Sequence, residues 1–126
     1  MLRALKGKKD WDSFLTNVLI DYVKGRCELP IAEMYISEIT LYEFIRGCKD
    51  PKRAKELLEE CFSVIFNDNS IIKKASEIWI SLKKSGELID DRNLLIASVA
   101  IDKNLKLLTR NIKHYKKLER FGLKFY

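Results

Sequence analysis

The chain reads as an α/β protein: a central, mostly parallel sheet covered by helices on both faces. Short apolar runs of strand length alternate with helix-periodic stretches along nearly its whole length. One stretch, Leu94 to Ile101, is apolar almost all round, as a helix packed on several sides must be. The 126 residues hold only 5 Gly and 2 Pro, which leaves no room for a linker and points to one domain.

The elements follow in order. Residues 12–15 (DSFL) are a short extended candidate, and Thr16 has the hydroxyl of an N-cap for a helix over 17–25 that Gly25 ends. Glu33 to Ile36 reads as a second strand. Ser37 caps a helix running to about Gly47, with Ile39, Leu41, Tyr42, Phe44 and Ile45 as its apolar residues. Asp50-Pro51 opens another helix reaching about Cys61, with proline in the first turn where no N–H is needed. Phe62 to Phe66 is apolar and partly β-branched, hence a strand. Asn69 or Ser70 opens a longer helix in which Ile71, Ile72, Ala75, Ile78, Trp79 and Leu82 recur at helical spacing, and Gly86 closes it. Its Trp79 is expected in the core. A buried helix over about 91–102, a strand over 105–108, an amphipathic basic helix over 112–120 and a strand over 123–126 complete the chain.

Composition narrows the function classes. With 47% apolar and 33% charged residues the chain is expected to fold in water. No run approaches the roughly 18 apolar residues of a membrane span, and the apolar stretch near the N-terminus is short for a secretory signal. A cytoplasmic protein without membrane contact is the expectation. Cys27, Cys48 and Cys61 are odd in number and lack CxxC spacing, which argues against a disulfide framework or zinc site and for small buried side chains. A single histidine, His114, excludes a His-rich metal centre. Any resident metal is therefore a hard cation on oxygen ligands, Mg2+ or Mn2+.

The net charge of +6 is uneven. Residues 1–9 carry four basic side chains and no acid, and residues 103–126 carry eight against Glu119 alone, so the ends are +4 and +7 around a middle of −5. Basic ends beside an acidic middle suit a phosphate-attracting rim next to an acidic pocket; a solvated lysine-rich surface is the plainer alternative.

Parallel α/β sheets bind ligands beyond the carboxyl ends of their strands. Polar residues expected there are Thr16 and Asn17, Glu43, the group Asp90, Asp91, Arg92 and Asn93, and the group Thr109, Arg110 and Asn111. Acids from distant points at one sheet edge make an oxygen-ligand pocket for magnesium, which activates water and neutralises phosphate charge.

Four strings, TNVLIDYVKG (16–25), SEITLYEFIRG (37–47), IDDRNLLIASVAI (89–101) and LLTRNIKHYKKL (107–118), resemble in order and spacing the motif blocks of PIN-domain ribonucleases. The likeness is strongest to VapC-type toxins of toxin–antitoxin pairs, and it covers nearly the whole chain from about residue 13. It implies a PIN-like three-layer α/β/α sandwich over 12–126, preceded by a basic N-terminal extension over 1–11. It also implies acids holding Mg2+ or Mn2+, endonucleolytic cleavage of RNA, and a homodimer silenced by a cognate VapB-like antitoxin.

Transferred residue by residue, the match is uneven. The family's first acid precedes the Thr-Asn pair; here Leu15 stands there, so the acid is replaced or one residue is lost between Leu15 and Thr16. The second acid matches Glu43. The third falls on Asn93, with Asp91 as an extra acid two residues earlier, and the fourth position is Asn111. His114 takes a place often held by an acid. The resemblance thus assigns catalysis to Glu43, Asp91, Asn93 and Asn111, the metal to Glu43, Asp91 and Asn93, pocket support to Thr16, Asn17, Asp90 and Thr109, and RNA contact to Arg110, Lys113, Lys116 and Lys117. Leucine ligates nothing and asparagine brings no charge, so the expectation is an impaired or inactive nuclease. The alternatives are a PIN-fold module that binds RNA or antitoxin without chemistry, and an unrelated α/β domain whose acids are structural.

Overall fold

The computed structural model describes residues 2–3, 35–108 and 112–125. The strand expected over 12–15, the helix over 17–25, Leu15, Thr16, Asn17, Cys27, Thr109, Arg110 and Asn111 lie outside the described residues.

The described elements are β1 (Leu2–Arg3), β2 (Tyr35–Ser37), α1 (Glu38–Ile45), α2 (Pro51–Cys61), β3 (Ser63–Ile65), α3 (Asn69–Lys84), α4 (Asp91–Asp102), β4 (Lys106–Leu108), α5 (Ile112–Tyr115) and β5 (Lys124–Phe125). The five strands form one sheet in the order β3-β2-β1-β4-β5, and every pairing is parallel. Parallel neighbours need long crossovers, which the intervening helices supply. This is the expected α/β architecture. Leu2–Arg3 fall within the stretch read as an extension, and they pair with Tyr35 on one side and with Leu107 and Leu108 on the other.

Local chemistry explains the helix starts. Ser37 is the N-cap of α1, its Oγ accepting from the Thr40 N–H at 3.1 Å. Asp50 caps α2, accepting from the Arg53 N–H at 3.1 Å with Pro51 in the first turn. Helix α3 opens at Asn69, as expected, and its cap is Asp68, which accepts from the Ile71 N–H at 2.9 Å. Gly86 closes α3 with φ +69°, and the Glu87 N–H reaches back to the Leu82 carbonyl at 2.8 Å, a Schellman closure. Asn104 ends α4 the same way with φ 54°.

Helix α4 carries the core, with Leu94, Ile96, Ala97, Ser98, Val99 and Ala100 all buried. Ser98, polar and wholly buried, donates its hydroxyl to the Leu94 carbonyl at 2.7 Å. Against this helix pack Ile71, Ile78 and Leu82 of α3, Leu107 of β4, and Tyr115, Leu118 and Leu123. Three details depart from expectation. The final helix is α-helical only over Ile112–Tyr115 and tightens to a 3-10 helix over Lys116–Phe121. Three residues per turn put Tyr115, Leu118 and Phe121 on one face toward the core. Ile72 of the α3 stripe is 47% exposed, whereas Trp79 packs half-buried against the core with Lys83 Nζ 5.0 Å from its ring centre. Cys48 is also half-buried, its thiol donating to the Phe44 carbonyl at 3.5 Å.

Candidate functional site

Two segments far apart in sequence meet at one edge. Helix α1 leaves the C-terminal end of β2 and carries Glu43. The loop before α4 and its first turn carry Asp90, Asp91, Arg92 and Asn93. Helix α5 adds His114 and Tyr115.

Arg92 joins the first two segments. Its Nη1 lies 3.4 Å from Glu43 Oε2, and its Nη2 lies 3.1 Å from Asp90 Oδ2. Asp90 is also the N-cap of α4, its Oδ1 accepting from the Arg92 N–H at 2.8 Å. The guanidinium and this backbone N–H together hold the Asp90 carboxyl below the usual carboxylate range, more strongly than partial burial raises it.

Asn93 belongs to a second, adjoining network. Its Oδ1 accepts from the Tyr115 hydroxyl at 2.9 Å. With that oxygen engaged, its Nδ2 faces His114 Nε2 at 3.1 Å as the donor. The His114 and Tyr115 rings meet edge to face, 5.4 Å between centroids. Tyr115 is 4% exposed. Burial first, and the negative charges of Glu43 and Asp90 next, push its phenol well above the ordinary value, so it stays a donor throughout the physiological range.

The structure thus brings Glu43, Asp90 and Asn93 to one edge. Asp91 follows Asp90 directly, in the first turn of α4. Asp91 is exposed and lines an apolar cleft of about 430 Å³ with Ile72, Trp79, Ile80, Leu94 and Leu95 between α3 and α4. Among the expected RNA contacts, Lys113 and Lys116 are exposed. Lys117 is half-buried and donates from Nζ to the Glu87 carbonyl at 3.1 Å. Sequence reasoning placed Arg92 at this edge without giving it a role, and it missed Tyr115. Arg92 stood in view inside DDRN, but its tie to Glu43 spans 49 positions. Tyr115 lies within the expected basic helix with nothing local to mark it.

A divalent ion fits these residues poorly. Among the described residues no group of three or more His, Cys, Asp or Glu side chains converges as an ion site. Glu43 and Asp90 share a guanidinium, and the Asn93 carboxamide already accepts from Tyr115 and donates to His114. What remains is a carboxylate pair sharing one positive charge beside a Tyr–Asn–His network.

No family model matches the chain. Its sequence is 46% identical to Ribonuclease VapC1 of Methanocaldococcus jannaschii over 132 positions, which cover 100% of this chain and 97% of that protein. It is 30% identical over 118 positions to Ribonuclease VapC1 of Haemophilus influenzae, covering 82% of this chain and 88% of the relative. Among solved structures, VapBC-1 from nontypeable Haemophilus influenzae matches with TM-score 0.72 at 26% identity over 100% of this chain and 97% of that one. DNA-bound VapBC from Salmonella typhimurium matches with TM-score 0.70 at 20% identity, covering 99% and 96%, a likeness of fold. No helix among the described residues is long and apolar enough to cross a membrane.

Proposed function

This chain belongs to the VapC ribonuclease family, a PIN-fold ribonuclease toxin of a VapBC toxin–antitoxin pair, and we propose that its hydrolytic site is impaired. In this reading the substrate is RNA, the ion of the unimpaired site is Mg2+ or Mn2+, and the partners are a VapB-like antitoxin and a second copy of the chain. Glu43, Asp91, Asn93 and Asn111 are the positions of the chemistry, with Thr16, Asn17, Asp90 and Thr109 around them and Arg110, Lys113, Lys116 and Lys117 toward the RNA.

One observation carries the impairment. Asn93, where the family has an acid, uses its oxygen to accept from Tyr115 and its nitrogen to donate to His114. Hydrolysis of a phosphodiester needs a base to take a proton from water and positive charge to offset the anion that develops. Here Glu43, the carboxylate at hand, is paired with Arg92, and Arg92 spends its charge on Glu43 and Asp90. Both roles are weakened by that pairing.

The test is cleavage of mixed RNA by the purified chain with Mg2+ or Mn2+ and with chelator. Beside it run Asn93→Asp and Asn93→Asp with an Asp inserted between Leu15 and Thr16. Expected is cleavage by the doubly restored protein and none by the chain as it stands. Metal-dependent cleavage by the unaltered chain, abolished in Glu43→Gln, overturns the impairment. Silence from every variant favours the second reading, a PIN-fold module that binds RNA or antitoxin without turnover; the Asn93 network supports that reading too.

A further inference from the structure

We infer that Arg92 is the resident cation of the acidic edge: its guanidinium bridges Glu43 and Asp90 and competes with a divalent ion for Glu43.

The geometry is a bridge. Nη1 reaches Glu43 on α1 at 3.4 Å, and Nη2 reaches Asp90 ahead of α4 at 3.1 Å, with Nε 3.5 Å from the other Asp90 oxygen. The fork therefore engages both Asp90 oxygens and one Glu43 oxygen. A guanidinium carries one positive charge spread over a plane, so it pairs the two acids without demanding the three or more oxygen ligands that a hard cation takes. It is also tethered. The backbone N–H of Arg92 is bonded to Asp90 at 2.8 Å, which keeps the side chain within reach of its partner. An ion from solution must displace a group held at high local concentration. The weakness of ion binding at this edge then has two causes. The Asn at position 93 removes a charge, and Arg92 pairs with Glu43, a carboxylate the ion would need.

The strength of the competition is bounded. The Arg92 and Glu43 side chains are 56% and 28% exposed, so their pairing is screened and each bridge is of ordinary surface strength. Two such bridges hold back an ion on the order of ten-fold.

The expectation of a metal rests on the family reading above, but the readout here is ion binding and not RNA cleavage. A protein that never cuts RNA leaves the measurement intact. Mn2+ is titrated into the chain and its variants, free ion being read by electron paramagnetic resonance and Mg2+ serving as competitor. The variants are Arg92→Gln, Arg92→Met, Arg92→Lys and Arg92→Gln with Glu43→Gln. Gln and Met keep the backbone cap on Asp90, and Met stands in for Gln if either folds badly by circular dichroism. The neutral variants should bind Mn2+ on the order of ten-fold tighter than the chain itself. Arg92→Lys should stay close to the chain itself, and the gain should vanish when Glu43 is also changed. No gain on neutralising Arg92 overturns the inference. So does an equal gain in Arg92→Lys, a gain that survives loss of Glu43, or sub-millimolar, Glu43-dependent binding by the unaltered chain.

Discussion

Replacing Tyr115 by Phe removes one oxygen and keeps the ring. The hydroxyl lies at the floor of the site, 4% of the residue is exposed, and its one observed role is to donate to Asn93 Oδ1 at 2.9 Å. Losing a neutral hydrogen bond of this kind costs about 0.5–1.5 kcal/mol. Asn93 is half-buried, so water can reach its orphaned carbonyl and hold the cost in that range. For 126 residues the unfolding entropy is roughly 0.26 kcal/mol/K, so the midpoint should fall by about 2–6 °C. The same variant has a pH signature. Burial raises the folded-state acid constant of Tyr115 above that of the unfolded phenol. Its contribution to stability is therefore fully present below the unfolded value of about 10 and is lost as pH rises from there through the folded value, by up to about 1.4 kcal/mol per pH unit. Thermal unfolding from neutral to strongly alkaline pH, with parallel ultraviolet titration of tyrosinate, reads both effects. The wild-type chain should show one tyrosine ionising late, together with an alkaline loss of stability that is smaller in Tyr115→Phe. An unchanged midpoint, or the same alkaline slope in both proteins, refutes the account of Tyr115 as a buried donor.

Other substitutions test the frame around the site. Leu118→Ala empties a wholly buried position against α4 and should cost about 2–5 kcal/mol in chemical denaturation. Asp90→Ala removes the cap of α4 and should cost about 1 kcal/mol by the same measurement, whereas Asp90→Asn should recover most of it. Gly122 sits at φ +101°, so Gly122→Ala should destabilise by about 1 kcal/mol although the nearest atom, Ile101 Cγ2, is 3.8 Å from the added methyl. The Asp68 and Asp90 carboxyls are both held below their ordinary values, Asp68 first by Lys103 and Asp90 first by Arg92. The stability they lend is present above the unfolded carboxylate value and drains away as pH falls through the folded values. Acid unfolding should therefore begin below about pH 4, and Lys103→Met, which releases Asp68, should flatten that acid limb in a pH series of unfolding midpoints.

Much of the architecture is legible in the chain alone because it rests on neighbours. Ser37 and Asp50 cap their helices through groups three residues away. The span of α4 coincides with its apolar run, and Gly86 stops α3 because that position needs a positive φ. The opening of α3 at Asn69 was legible too, although Asp68, Asn69 and Ser70 are all capping types and only the geometry of the turn selects Asp68 as the cap. The 3-10 form of the last helix was not legible, since a basic amphipathic stretch fits either period until the core demands three residues per turn.

The candidate site divides along the same line. The importance of Glu43 and the absence of an acid at position 93 follow from residue identity and order. That Asp90 shares Arg92 with Glu43 depends on how the start of α4 packs beside α1, which the tertiary structure alone settles. The bridge of Arg92 spans 49 positions and the Asn93–Tyr115 bond 22. Such contacts leave no periodic trace in the sequence. Sequence determines what each residue can donate, accept or bury, while the tertiary structure alone decides which distant partner it meets, because that choice is made by the closure of the whole fold rather than by the neighbouring chain.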